Sequence, residues 1–240
     1  MPDTSGAIHF QGVSKRYQDQ VIVADIGFDV APGSCTGLVG VNGAGKTTLI
    51  KCLLDFVRPD QGSIRIFDYH SSDHRARQSL AYLPERFQAP YYLRGRDLLR
   101  YLALMYEVTI TEAAVKDMFR ELDLDAAALT RPVRHYSKGM AQKLGLAGCF
   151  LSGRRLLVLD EPMSGLDPRA RVGVKRILQQ LHLAGTTVFF SSHLLADVEE
   201  LCDQLVILHD QGIRFHGTPQ ACRQQFQADS LEQAFMNCIG

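Results

Sequence analysis

The chain has 240 residues, 46% of them hydrophobic and 22% charged, enough to bury a sizeable α/β core in one domain. Its 26 Lys and Arg balance 26 Asp and Glu, so no overall basic excess argues for nucleic acid and no acidic tract argues for disorder. The opening Met1-Pro2-Asp3-Thr4 lacks the basic and apolar regions of a signal peptide, and no apolar run reaches membrane-spanning length, so the chain is expected not to cross a membrane itself.

Short β-like runs stand at residues 8–13, 28–30 and 63–67, with Ala31-Pro32-Gly33 and Pro59-Asp60-Gln61-Gly62 as breakers. They predict an antiparallel flap. Between them, Cys35-Thr36-Gly37-Leu38-Val39 reads as a strand that runs into Gly40-Val41-Asn42-Gly43-Ala44-Gly45-Lys46-Thr47. This octet matches G-x-x-x-x-G-K-[ST], a phosphate-binding loop. Glycines let backbone N–H groups close around phosphate oxygens, Lys46 adds a cation toward the β- and γ-phosphates, and Thr47 offers a hydroxyl to Mg²⁺. The helix that follows aims its positive end at the same anion, with Thr48 beside Thr47 as a further phosphate-facing candidate. Leu49, Ile50, Leu53, Leu54 and Val57 share one face of that helix, which is predicted to end at Pro59.

Between Pro84 and Arg134 the β signal disappears. Leu98, Tyr101, Leu102 and Met105 have helical spacing, and Val115, Met118, Phe119 and Leu122 repeat it, which predicts a helical insertion. The α/β rhythm then returns, with strands at 156–159, 187–190 and 205–208 and helices carrying Val174/Ile177/Leu178/Leu181 and Leu194/Val198/Leu201. This alternation predicts a largely parallel sheet covered on both faces. The apolar strand 156–159 ends in Asp160-Glu161, which would deliver two carboxylates to the strand edge where such sheets bind ligands. Asp160 would hold Mg²⁺ through water, and Glu161 would orient and polarise the water that attacks a γ-phosphate.

With these residues in place, the chain resembles the nucleotide-binding subunit of an ABC transporter over residues 7–225. Tyr136-Ser137-Lys138-Gly139-Met140 stands where the family signature stands, Ser164-Gly165-Leu166-Asp167 is similar to the D-loop, and His193 follows Phe189-Phe190-Ser191-Ser192 as the switch histidine does. Tyr17, after Ser14-Lys15-Arg16, resembles the aromatic that stacks on adenine. Lys138 replaces the first glycine of the familiar L-S-G-G-Q signature, Met163 stands where threonine is common, and Glu85 in Tyr82-Leu83-Pro84-Glu85 stands where many members carry glutamine. Y-S-K-G-M and P-E resemble the branch of two-component exporters with separate membrane subunits.

The resemblance implies one ABC ATPase domain across 1–240: a P-loop, RecA-like α/β core, an antiparallel β subdomain, a helical subdomain near 86–142 and a peripheral tail near 228–240. It implies ATP and Mg²⁺ as cofactors. Glu161 and His193 would be catalytic, Thr47, Asp160 and Glu85 metal-facing, and Tyr17, residues 40–48, Ser137, Gly139 and Asp167 nucleotide-binding. Two copies, or a pseudo-dimer, would sandwich two ATPs, with Ser137 and Gly139 meeting the γ-phosphate held by the other copy's P-loop. Partner permeases in the membrane would meet the region of Phe87, Pro90, Tyr91, Tyr92 and Leu93, placing the chain peripherally on the cytoplasmic side, with no nucleic acid expected. Two alternatives remain open, a soluble family member acting on ribosomes or DNA and a nucleotide-binding scaffold without turnover.

At the end of the chain, Ser230-Leu231-Glu232-Gln233 reads as a capping box, with Leu231, Ala234, Phe235 and Cys238 on one helical face. That face would dock on its own core or on a partner. The six cysteines, Cys35, Cys52, Cys149, Cys202, Cys222 and Cys238, form no C-x-x-C pair and are expected to be reduced core residues of a cytosolic protein.

Overall fold

A computed structural model describes residues 6–240. Strands β1 (Ile8–Tyr17), β2 (Gln20–Val30), β4 (Gln61–Ile66) and β5 (Tyr69–His70) form an antiparallel sheet in the order β2-β1-β4-β5. β1 and β2 extend well beyond the runs 8–13 and 28–30. Register shifts along their pairing break the period-two alternation that would have announced the extra length.

The second sheet has the order β10-β9-β3-β8-β7-β6, from β3 (Cys35–Val39), β6 (Leu80–Leu83), β7 (Leu156–Asp160), β8 (Thr187–Ser192), β9 (Gln204–His209) and β10 (Gly212–Gly217). β6 to β9 and β3 pair in parallel, while β10 closes the edge antiparallel to β9. β6 and β10 had no reading as strands from pattern alone. Along β7, Leu157 and Leu159 enter one core cluster, whereas Leu156 and Val158 enter the other. The strand must therefore be apolar at every position, because both faces of the sheet are covered. On one face, Phe189 meets the stacked rings of Phe10 and Phe28 at 6.3 and 6.2 Å, which seats the antiparallel sheet on the parallel one.

Helix α1 (Lys46–Leu53) stops earlier than Pro59. Asp55 takes a left-handed φ of 60°, and the N–H groups of Phe56 and Val57 both bond to Lys51 O, so Val57 lies beyond the helix. After the short α2 (His74–Arg77) and β6 come α3 (Gly95–Met105), α4 (Glu112–Glu121), two 3₁₀ turns and α5 (Lys138–Phe150), a segment without a strand apart from the bridge Arg94↔Pro132. On α3 the buried face is Leu98, Leu99 and Ala103, while Tyr101 and Met105 are exposed. The buried side is therefore rotated from the predicted stripe, with Leu102 lying against Gly148 of α5.

The remaining helices are α6 (Pro168–Leu183), α7 (Leu195–Leu201), α8 (Pro219–Gln225) and α9 (Leu231–Ile239). Ser230 Oγ caps α9 by accepting from Gln233 N at 3.2 Å, and Leu231, Ala234 and Phe235 are buried in the core formed with the sheet. The tail therefore docks on its own chain. All six cysteines are free thiols, four buried and two half-buried. Burial pushes the Cys149 thiol up to about 12. Among the described residues no helix is long and apolar enough to cross a membrane.

Candidate active site

From the end of β3 the chain turns through residues 40–45 into α1. Gly45 needs its φ of 104°, and a Cβ there would sit 2.7 Å from Val23 Cγ1. At Gly40 a Cβ would lie 2.5 Å from Leu208 O. No side chain caps α1, so its first N–H groups stay available to an anion. The loop opens on a cavity of about 510 Å³, lined by residues 42–48 together with Ile22, Glu85, Glu161, Ser164 and His193. That volume falls within the usual range for a small-molecule site.

Lys46 Nζ is nearly buried and donates to Gly40 O at 2.7 Å and to Val41 O at 3.4 Å. It also lies 3.6 Å from Glu161 Oε1, both side chains being close to nine-tenths buried or more (7% and 11% exposed). His193 Nδ1 is 2.8 Å from the other oxygen, Glu161 Oε2. Glu161 itself has a left-handed φ of 48°, which turns its side chain back from the end of β7 across the loop. Its carboxylate is thus held between a lysine and a histidine at the cavity wall.

Behind it, Ser191 at the end of β8 ties the acidic pair together. Its hydroxyl donates to Asp160 Oδ1 at 2.6 Å and accepts from Glu161 N at 2.9 Å. Asp160 is buried, and its second oxygen, Oδ2, has no partner. A buried carboxylate oxygen left unpaired is costly, so this position suits a cation or an ordered water. Among the described residues no three His, Cys, Asp or Glu side chains converge to hold a metal unaided. Such a donor set suits Mg²⁺, which is usually held by one or two carboxylates plus phosphate oxygens and water. Ser191 was missed as a site residue, and its signal was a hydroxyl ending an apolar strand beside the one that delivers Asp160.

The other sequence-predicted residues lie outside this cavity. Tyr17 is exposed at the end of β1, with the Lys15 ammonium 5.5 Å from its ring centroid. Ser137 is the N-cap of α5, accepting from Met140 N at 3.2 Å, and Gly139 sits in the first turn. Asp167 is the N-cap of α6, accepting from Ala170 N at 2.9 Å, and its other oxygen pairs with Lys143 at 2.7 Å. That Lys143 contact is the main reason the Asp167 carboxyl is held below its ordinary pKa. Tyr91 and Tyr92 are 68% and 67% exposed, whereas Phe87 and Leu93 pack against the core.

A sequence profile of the family described as "ABC transporter" matches residues 23–164. An uncharacterized ABC transporter ATP-binding protein of Nostoc is 38% identical over 182 residues, covering 75% of this chain and 54% of that protein. The chain thus spans about half the length of that relative. A Nod factor export ATP-binding protein I of Bradyrhizobium is 36% identical over 220 residues, covering 90% of this chain and 71% of the relative. A solved structure of an ATP-binding subunit of an ABC transporter superposes with a TM-score of 0.88 at 32% identity, covering 97% of this chain and 99% of the other. With the profile matching more than half of its length, the chain belongs to the ABC transporter family.

Proposed function

We propose that the chain hydrolyses ATP as the cytoplasmic-side, peripheral ATPase of an exporter whose permease is a separate membrane subunit. The observation that carries the reading is Glu161, a buried carboxylate held between Lys46 and His193 at the mouth of a phosphate-binding loop. The loop N–H groups and the uncapped start of α1 would cradle the phosphates, and an incoming anion would draw Lys46 Nζ from the backbone carbonyls it now bonds. Glu161 then accepts a proton from a water that attacks the γ-phosphorus, while the bond to the β,γ-bridging oxygen breaks and ADP leaves. His193 fixes the carboxylate that receives the proton. Tyr17 would stack on the base.

Thr47 and the unpaired Oδ2 of Asp160 would hold Mg²⁺, with Glu85 as the third cavity-lining candidate. When bound, the ion neutralises charge on the β- and γ-phosphate oxygens. Ser137, Gly139 and Asp167 lie outside the cavity that holds Lys46, so within this reading they serve the nucleotide of a second copy. Exposed Tyr91 and Tyr92 offer the permease a contact, and export is supported by relatives whose names carry it. Phosphate release by the purified chain, measured with and without Mg²⁺, tests the reading. ATP bound without release of phosphate would leave a scaffold instead of an enzyme.

A further inference from the structure

Three contacts run from α5 to the loop 161–167, which begins at the catalytic carboxylate. Gln142 Nε2 reaches Pro162 O at 3.5 Å. Gly139 faces Gly165, where a Cβ on Gly139 would lie 3.2 Å from Gly165 O. Lys143 Nζ donates to Asp167 Oδ2 at 2.7 Å. Lys143 is the strongest of the three and the only one that reaches a third element. Its buried ammonium also donates to the carbonyl of Asp123 at 2.9 Å, where α4 ends and the backbone turns left-handed at φ 49°. A second link reinforces the same junction: Arg176 on α6 pairs with Glu121 at 2.8 Å, and Gly173 lets α6 approach the Glu121 carbonyl.

We infer that Lys143 is a positioning residue: its ammonium couples the end of α4 and the helix carrying Ser137 and Gly139 to the loop that runs from Glu161 to Asp167. This rests on the ATPase reading above. A buried ammonium needs its acceptors, so α4, α5 and the loop keep their relative placement as long as Lys143 holds both Asp123 O and Asp167. Movement of the helical segment is thereby passed to the loop that leads from the catalytic carboxylate. Neither Lys143 nor its acceptors at positions 123 and 167 line the cavity, so Lys143 governs turnover without binding the nucleotide held there.

The test compares the parent chain with Lys143→Met, Lys143→Arg, Asp167→Asn and the Lys143→Met/Asp167→Asn double variant. Asp167→Asn keeps an oxygen to cap α6 and loses only the charge. The expected result for Lys143→Met is a kcat about tenfold lower with an ATP Kd within about twofold of the parent. Arginine should restore most of the rate, and amide exchange at residues 163–170 should be no faster in the double variant than in Lys143→Met alone, since both changes break one link. Parental kcat in Lys143→Met, or exchange effects that add in the double variant, would overturn the inference. A parent that binds ATP but releases no phosphate would reject the ATPase reading instead. Amide hydrogen exchange then decides the coupling: Lys143→Met should speed exchange at residues 121–124 and 163–170 together, with Lys143→Arg parental. Exchange unchanged at either segment would overturn it.

Discussion

The phosphate-loop half of the molecule and the signature half differ in how their polar groups are committed. Around the loop, Lys46, Glu161, His193, Ser191 and Asp160 already contact one another from α1, β7, β8 and the turns after the two strands, and one carboxylate oxygen is left buried and unpaired. On the signature side, Ser137 and Asp167 cap the helices they begin, are exposed, and share no cavity with Lys46. The first half is arranged to act on a ligand. The second is arranged as a surface, whose helix ends gain a further role only when something is placed against them.

The sharpest way to break this comparison is at Glu161. Glu161→Gln keeps the shape but removes the charge that would accept the proton in the proposed mechanism, so phosphate release should fall by about 10²–10⁴-fold while ATP binding persists. A near-parental rate would move the catalytic role to another group. The C-terminal helix supplies a control outside both halves. Phe235→Ala should cost about 3 kcal/mol in a denaturant melt, because its ring is buried in the chain's own core, and should leave ATP affinity unchanged. A stable variant that failed to bind ATP would show that the tail reaches the nucleotide half. Lys46→Met should weaken ATP binding about 10- to 10²-fold, since a hydrogen bond to a charged group is worth about 1.5–3 kcal/mol. Unchanged affinity in an equilibrium binding assay would remove Lys46 from the phosphates.

Much of the first half was legible in the chain. The glycine-rich octet and the apolar strand ending in two acids carry their pattern in local order, whereas His193 was assigned only through the family resemblance. The left-handed backbone at Glu161 was not legible, because no local pattern announces a non-glycine residue at φ 48°. Nor was the Ser191 bridge, which exists only because β7 and β8 pair in parallel and set Asp160 opposite Ser191. Strand ends suffered likewise, since register shifts concealed the full length of β1 and β2. Helical spacing located α3 but misplaced its buried side by including Tyr101 and Met105, which are exposed, because spacing alone does not say which side of a helix its neighbours cover. Lys143 is least legible of all, as its partners come from two other elements, at positions 123 and 167.

The most direct measurement of the difference between the halves is sedimentation equilibrium of Glu161→Gln with and without ATP and Mg²⁺, repeated with Ser137→Arg added. If the signature half completes the site of a second copy, ATP should convert Glu161→Gln from monomer to dimer. The arginine should hold the double variant monomeric with its ATP affinity unchanged. A Glu161→Gln/Ser137→Arg protein that still dimerises with ATP would contradict the account, as would a Glu161→Gln protein that binds ATP and stays monomeric.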